Sequence, residues 1–102
     1  MNITILGAGA YGLALSSMFL ENNCSITMWT KSDEEKIKLE RDRCNKKVLP
    51  DYIISEKIKI TTSLEDSVKN ANVIVIAIPV KYVTNIIMEL KNYYKKEQHI
   101  CI

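Results

Sequence analysis

All three glycines of this 102-residue chain lie in one short stretch near the amino terminus, residues 7–12, with the sequence GAGAYG. Glycine costs about 0.5–1 kcal/mol inside regular secondary structure, so its confinement to one stretch indicates a local requirement. The spacing GxGxxG is typical of a turn between a strand and a helix that presents backbone N–H groups to a phosphate. We therefore predict that this turn holds the diphosphate of a dinucleotide; the alternative is a tight turn without a ligand.

Each glycine has its own expected task in such a turn. Gly7 permits the sharp change of direction that follows the strand. Gly9 has no side chain, so a pyrophosphate can approach the backbone. Gly12 lets the following helix pack closely against the strand. The diphosphate would then lie at the helix N-terminus, where unpaired N–H groups and the helix dipole favour negative charge.

The end of the second strand, residues 29–32 with the sequence WTKS, is expected to meet the adenosine ribose. Asp33 has the spacing of the acidic residue that accepts from the 2′-hydroxyl of NAD. It also lies in residues 32–35 (SDEE), whose hydroxyl and carboxylate have the spacing of a capping box at the start of a helix. Lys31 is nearer the strand end and would attract the 2′-phosphate of NADP, unless it is an ordinary surface lysine. Trp29 is expected to pack in the core. Both NAD and NADP remain possible cofactors.

The end of the fourth strand is expected to face the same cofactor, because ligands bind outside the carboxyl ends of parallel strands. This places Ile78, Pro79 and Tyr82 near the crevice. Tyr82 either covers the nicotinamide half or packs against the protein. His99 begins the last strand, at the opposite end, so we assign it no catalytic role. We identify no catalytic acid or base in these residues.

Alternating strands and helices must position these residues. Pro79 closes a run of six apolar residues, which is typical of a strand buried on both faces. The alternation predicts a doubly wound parallel sheet of the Rossmann type, with strand order 3-2-1-4-5 and helices on both faces. The predicted strands are residues 2–6, 25–30, 58–61 (near an edge), 73–78 and 99–102, and the predicted helices are residues 11–22, 32–43, 63–70 and one that includes residues 83–90.

Composition narrows the function classes. The length fits one domain, and the net charge of +2 is too balanced to favour nucleic acid or an anionic membrane as a partner. No apolar run reaches the roughly 20 residues that span a bilayer, and no signal peptide is recognisable. The three cysteines form no CxxC pair, so we predict neither a disulfide framework nor a metal site, and we expect a cytoplasmic protein.

The chain resembles the N-terminal domain of bacterial NAD(P)-dependent glycerol-3-phosphate dehydrogenase. Three segments show this resemblance: residues 5–15 (ILGAGAYGLAL), Trp29 followed by residues 39–50 (LERDRCNKKVLP), and residues 73–82 (VIVIAIPVKY). The family's cofactor contacts map onto Ala10, Tyr11, Lys31, Val48 and Tyr82. Ala10 replaces a serine that many members carry, and Val48 replaces a common aromatic residue.

The resemblance implies hydride transfer between NAD(P)H and dihydroxyacetone phosphate, which gives sn-glycerol 3-phosphate for phospholipid synthesis. It also implies that the lysines that act on the substrate lie outside residues 1–102, one of them in a helical C-terminal domain. We therefore interpret residues 1–102 as the cofactor domain of a longer enzyme, inactive alone, whose full-length form is a possible homodimer. The alternatives are the same domain of another dehydrogenase and a non-catalytic nucleotide sensor.

Overall fold

The computed structural model describes residues 1–101, which form a five-stranded parallel sheet with strand order β3-β2-β1-β4-β5. The strand order and the parallel direction that the sequence predicts are both confirmed. The elements in chain order are β1 (Asn2–Leu6), α1 (Ala10–Glu21), β2 (Ser25–Trp29), α2 (Asp33–Asp42), β3 (Lys59–Thr61), α3 (Leu64–Val68), β4 (Val73–Ile76), α4 (Val80–Leu90) and β5 (His99–Cys101).

Helices cover both faces of the sheet, as the doubly wound prediction requires. On one face, Leu13 of α1 and Leu39 of α2 pack with alternate residues of the strands, such as Ile5 and Met28. On the other face, the buried residues of α3 and α4 pack with the intervening strand residues, including Trp29. Because successive strand residues point to opposite faces, each central strand contributes to both cores. The two cores hold the carboxyl ends of β1, β2 and β4 side by side, at the same end of the sheet.

Most element boundaries differ from the sequence prediction by one or two residues, and three elements illustrate this. Helix α1 begins at Ala10, one residue before the predicted start. Helix α3 is confined to Leu64–Val68, inside the predicted residues 63–70. Strand β4 ends at Ile76 because the chain leaves the sheet there, after the Ala77 N–H has donated to the Leu6 carbonyl at 2.9 Å.

The two edge strands are short. Strand β3 has three residues and lies at one edge, as predicted. Strand β5 forms the other edge, and its three residues, His99–Cys101, are exposed. The predicted continuation of this strand to Ile102 lies outside the described residues. In the part of the chain that the structure describes, no helix is both long and apolar enough to cross a membrane.

Candidate cofactor-binding site

Two of the three glycines are required by the chain's own packing. Gly7 has φ +131°, and a Cβ built there would lie 2.3 Å from the Ala77 carbonyl oxygen. A Cβ at Gly12 would lie 2.6 Å from the Gly7 carbonyl oxygen and 3.3 Å from the Cγ2 of Ile5. Because both contacts involve backbone oxygens, the neighbours cannot move aside cheaply. The fold therefore requires Gly7 in the turn and Gly12 where α1 meets β1.

Gly9 is different, because a Cβ there would have no heavy atom within 4 Å. It is the N-cap residue of α1, and no side chain in the described structure caps this helix. The first turn of α1 also contains no acidic residue. Since the first N–H groups of a helix have no intrahelical partner, this end of α1 offers donors and a positive dipole to an outside anion.

A cleft of about 910 Å³ opens at the carboxyl edge of the sheet, beside this turn. The structure brings six of the residues that the sequence places at the site to its lining: Gly7, Gly9, Lys31, Ile78, Pro79 and Tyr82. Ala10 and Tyr11 follow Gly9 in the first turn of α1, and the Tyr11 side chain is exposed. Gly12 supports the turn from inside the helix, as described above.

Val48 does not line this cleft. It is exposed, on the irregular segment between α2 and β3. That segment is attached to the glycine turn through Asn45, whose Nδ2 donates to the Ala8 carbonyl at 2.8 Å. It is also held by Arg43, whose guanidinium donates to the carbonyls of Ile54, Ser55 and Ile58. Asn45 was missed as a residue that supports the turn, although it lies inside the segment 39–50 on which the resemblance rests.

The end of β2 is organised by side chains. Trp29 is buried and its Nε1 donates to the Thr62 carbonyl at 3.0 Å, which agrees with the predicted core role. The Oδ1 of Asp33, in the first turn of α2, accepts from the Thr62 hydroxyl at 2.8 Å. Lys31 is exposed at the rim of the cleft.

Glu35 is a lining residue that the sequence interpretation did not assign to the site. The pattern predicted a capping box starting at Ser32, and half of it forms: the Ser32 Oγ accepts from the Glu35 N–H at 3.2 Å. The Glu35 carboxylate instead accepts from the Thr30 hydroxyl, at the end of β2. Spacing alone gave the correct helix cap but the wrong partner for the carboxylate.

The other end of the cleft is formed by the β4–α4 turn. Pro79 is the N-cap of α4, and no side chain in the described chain caps this helix either. Tyr82 is 46% exposed, and the Lys81 ammonium lies 5.0 Å from its ring centroid. Tyr82 therefore lines the cleft with one ring face already near a cation.

The shifted pKa values belong to Arg41 and Asp42, which do not line the cleft. The shifted groups lie at the far end of α2, where the hydrogen bond from Arg41 lowers the pKa of Asp42 and the same pair raises the pKa of Arg41. His99 pairs with Val73 at the amino ends of β5 and β4, at the end of the sheet opposite the cleft. Across residues 1–101, no three His, Cys, Asp or Glu side chains are grouped to hold a metal ion.

Comparison with known proteins agrees with this geometry. The sequence profile for the N-terminus of NAD-dependent glycerol-3-phosphate dehydrogenase matches residues 2–102. The glycerol-3-phosphate dehydrogenase (NAD(P)+) of Wigglesworthia glossinidia brevipalpis is 38% identical over 93% of this chain and 29% of that protein. The enzyme of the same name from Fusobacterium nucleatum subsp. nucleatum is 32% identical over 98% of this chain and 30% of that protein.

The fold also matches a solved structure. The crystal structure of glycerol-3-phosphate dehydrogenase from Coxiella burnetii superposes with a TM-score of 0.90 at 24% identity, over 97% of this chain and 30% of that one. The chain thus spans less than a third of the length of these relatives. The resemblance inferred from the three segments is confirmed: the chain belongs to the family defined by the N-terminus of NAD-dependent glycerol-3-phosphate dehydrogenase.

Proposed function

We propose that this domain binds NAD or NADP across the carboxyl edge of its sheet, with the diphosphate at the N-terminus of α1. One observation supports this most directly. Gly9 faces open space at an uncapped helix end, beside a cleft large enough for a dinucleotide. Packing does not require a glycine there, whereas a phosphate that approaches the backbone does.

The N-termini of the four helices in the described part of the chain fall into two groups, capped and uncapped. Helices α2 and α3 are capped by Ser32 and Ser63 and have acidic residues in their first turns. Helices α1 and α4 have neither a side-chain cap nor an acidic first turn. Both of the uncapped ends lie at the cleft, through Gly9 and Pro79. An anionic ligand would satisfy them and would gain from both dipoles.

The lining residues suggest an orientation for the cofactor. The diphosphate contacts the backbone N–H groups around Ala10 and Tyr11; because residue 10 is alanine, no hydroxyl adds to them. The adenosine ribose lies toward Lys31 at the end of β2. The nicotinamide lies toward Pro79 and Tyr82. Val48 would approach the adenine side only if its segment moves closer, since it lies outside the cleft lining.

The full-length enzyme is proposed to transfer a hydride between NAD(P)H and dihydroxyacetone phosphate, giving sn-glycerol 3-phosphate, a phospholipid precursor. The bound cofactor supplies the hydride. Residues 1–102 hold it and fix its orientation, and the substrate-binding lysines lie outside these residues, one of them in a helical C-terminal domain. In this proposal the enzyme is a cytoplasmic homodimer, and residues 1–102 alone do not oxidise NADH when dihydroxyacetone phosphate is added.

Titration of the chain with NADH and NADPH, followed by amide chemical shifts, tests the binding proposal. Saturable shifts should concentrate in the turn around Gly9. The substitution Gly9→Val places a branched side chain where the diphosphate lies, so it should abolish binding of both cofactors. The substitution Ala14→Val is the matched control, because it adds the same side chain at an exposed position of α1 outside the cleft. Unchanged affinities in Gly9→Val would refute the proposed site.

A further inference from the structure

The sequence offers no acidic residue immediately after β2, but the fold brings one there. The Glu35 carboxylate accepts a hydrogen bond from the hydroxyl of Thr30, the first residue after the strand. Glu35 lies 23 positions after Gly12, near the spacing at which an acidic residue meets the ribose in dinucleotide-binding folds. Asp33 also has this spacing, but its carboxylate accepts from the Thr62 hydroxyl and it does not line the cleft. Glu35 does line the cleft.

The position of this carboxylate is fixed from two sides. Thr30 is buried, and its N–H donates to the Thr61 carbonyl at 3.0 Å, so its hydroxyl is anchored to the sheet. The Glu35 backbone is held by the Ser32 cap. Within the described chain, neighbouring Glu34 forms a salt bridge with Lys38, whereas Glu35 forms none. Its second carboxylate oxygen can therefore accept from a ligand hydroxyl.

The charge of the cleft lining favours a neutral group at this position. Among the described residues that line it, three are glutamates (Glu35, Glu65 and Glu89) and one is a lysine, Lys31. Lys31 and Glu35 are both exposed, so water and salt screen both charges, but the Glu35 carboxylate is held at the end of β2 by its hydrogen bond from Thr30. A 2′-phosphate at the end of β2 would meet the fixed Glu35 carboxylate, and a 2′-hydroxyl would donate to it.

We propose that Glu35 determines cofactor specificity: its carboxylate accepts from the ribose 2′-hydroxyl and repels a 2′-phosphate, so that the domain prefers NAD(H) to NADP(H). This inference rests on the proposed dinucleotide site. Thr30 is a positioning residue that acts through Glu35. Lys31 accounts for residual binding of NADP(H).

The test compares dissociation constants for NADH and NADPH in the wild-type chain and in Glu35→Gln. The wild type should bind NADH more tightly by about tenfold, the scale of one hydrogen bond to a charged group. Glu35→Gln should reduce this preference by about tenfold, mainly by improving NADPH binding. The amide oxygen of glutamine can still accept from Thr30, so the fold should be kept. Glu34→Gln is the matched control: it removes the same charge one residue away, outside the cleft lining, and should leave the preference unchanged.

A second variant tests the positioning role. Thr30→Val keeps the buried shape but removes the hydroxyl, so it should lower the preference several-fold in the wild-type background and not in Glu35→Gln. If Glu35→Gln changes the two affinities equally, or no more than Glu34→Gln does, Glu35 does not read the ribose. If the wild-type chain binds neither cofactor, the proposed site itself is wrong and this inference fails with it.

Discussion

The two strand-to-helix turns that border the cleft are built in opposite ways. The β1–α1 turn consists of glycine and alanine, and its helix has no side-chain cap and no acidic residue in the first turn. The β2–α2 turn is capped by Ser32, and all of the first three helix residues are acidic. Both helices begin at the same edge of the sheet and follow parallel neighbouring strands.

The difference separates a turn that stabilises itself from one that leaves its polar groups for a ligand. In the β2–α2 turn, side chains already satisfy an N–H group and offset the helix dipole, so a bound anion would gain little there. In the β1–α1 turn, the same groups remain available beside Gly9. The β1–α1 turn is therefore suited to bind a diphosphate, and the β2–α2 turn to distinguish what the ribose carries.

Gly7→Ala should produce the largest effect, since it breaks the β1–α1 turn itself. Residue 7 has a positive φ, which residues with a side chain rarely adopt, and the new Cβ would lie 2.3 Å from the Ala77 carbonyl oxygen. We expect a loss of about 2–5 kcal/mol in the free energy of unfolding, measured by urea denaturation. Gly9→Ala is the control and should change stability by less than about 1 kcal/mol, because its Cβ meets nothing within 4 Å. Equal losses in the two variants would contradict the division of tasks between the glycines.

Gly9→Asp should make the β1–α1 turn resemble the β2–α2 turn. An aspartate N-cap can accept from the first-turn N–H groups, so stability should rise by a few tenths to about 1 kcal/mol while NADH and NADPH binding is lost. The reciprocal substitution, Ser32→Ala, should cost about 0.5–2 kcal/mol and leave the diphosphate contacts intact. Thermal unfolding and cofactor titration measure both quantities. A destabilised Gly9→Asp variant would show that the end of α1 is not available for a cap.

Lys31→Glu tests the role of the lysine in the β2–α2 turn, at the rim of the cleft. It should weaken NADPH binding by roughly 1–3 kcal/mol, because a cation near the 2′-phosphate is replaced by an anion. NADH binding should hold or improve. The effect should shrink with added salt, since Lys31 is exposed and the Debye length is about 8 Å at physiological ionic strength. Lys57→Glu, beside the amino ends of the strands, should alter neither affinity. Equal weakening of both cofactors by Lys31→Glu would exclude a role in reading the ribose.

Most of the fold could be predicted because it depends on local patterns. Three patterns indicate burial or backbone geometry directly: the apolar run that contains β4, the helical spacing of Ile86 and Leu90, and the glycine motif. Strand order then follows from the handedness of the crossovers and from the position of the glycine turn. The boundaries that shifted, such as the end of β4 at Ile76, depend on contacts between distant segments.

The side-chain partners at the site were harder to predict for the same reason. In a complete capping box the Glu35 carboxylate would accept from the Ser32 N–H. In the folded chain it accepts from the Thr30 hydroxyl, which the fold brings close. Asn45 and Val48 lie on a segment without periodicity, whose path is set by the contacts of Arg43 with three carbonyls. No spacing rule in the sequence encodes those contacts. The predicted site residues that line the cleft are mainly those that follow directly from a strand end.

Asp42→Asn should give the smallest effect, and it extends the comparison to the two helices. Eight of the ten residues of α2 are charged, whereas α1 carries one charged residue, Glu21. The hydrogen bond from Arg41, at 3.0 Å, lowers the pKa of Asp42 below its ordinary value of 3.8. A carboxyl with a lowered folded-state pKa stabilises the fold above its unfolded-state pKa, and this contribution disappears as the pH falls through the lowered value. The stability difference between the wild type and Asp42→Asn should therefore shrink below about pH 4.

Urea denaturation at a series of pH values measures that difference, which should be small because the pair is on the surface. Asp51→Asn serves as the control, since Asp51 is exposed and forms no salt bridge in the described chain. Its difference from the wild type should vary less with pH in the same range. A difference for Asp42→Asn that stays constant or grows in acid would mean that Arg41 does not stabilise the carboxylate in the folded state. In that case the charges of α2 would stabilise the fold through the first turn of the helix, where Ser32 and the acidic residues already distinguish α2 from α1.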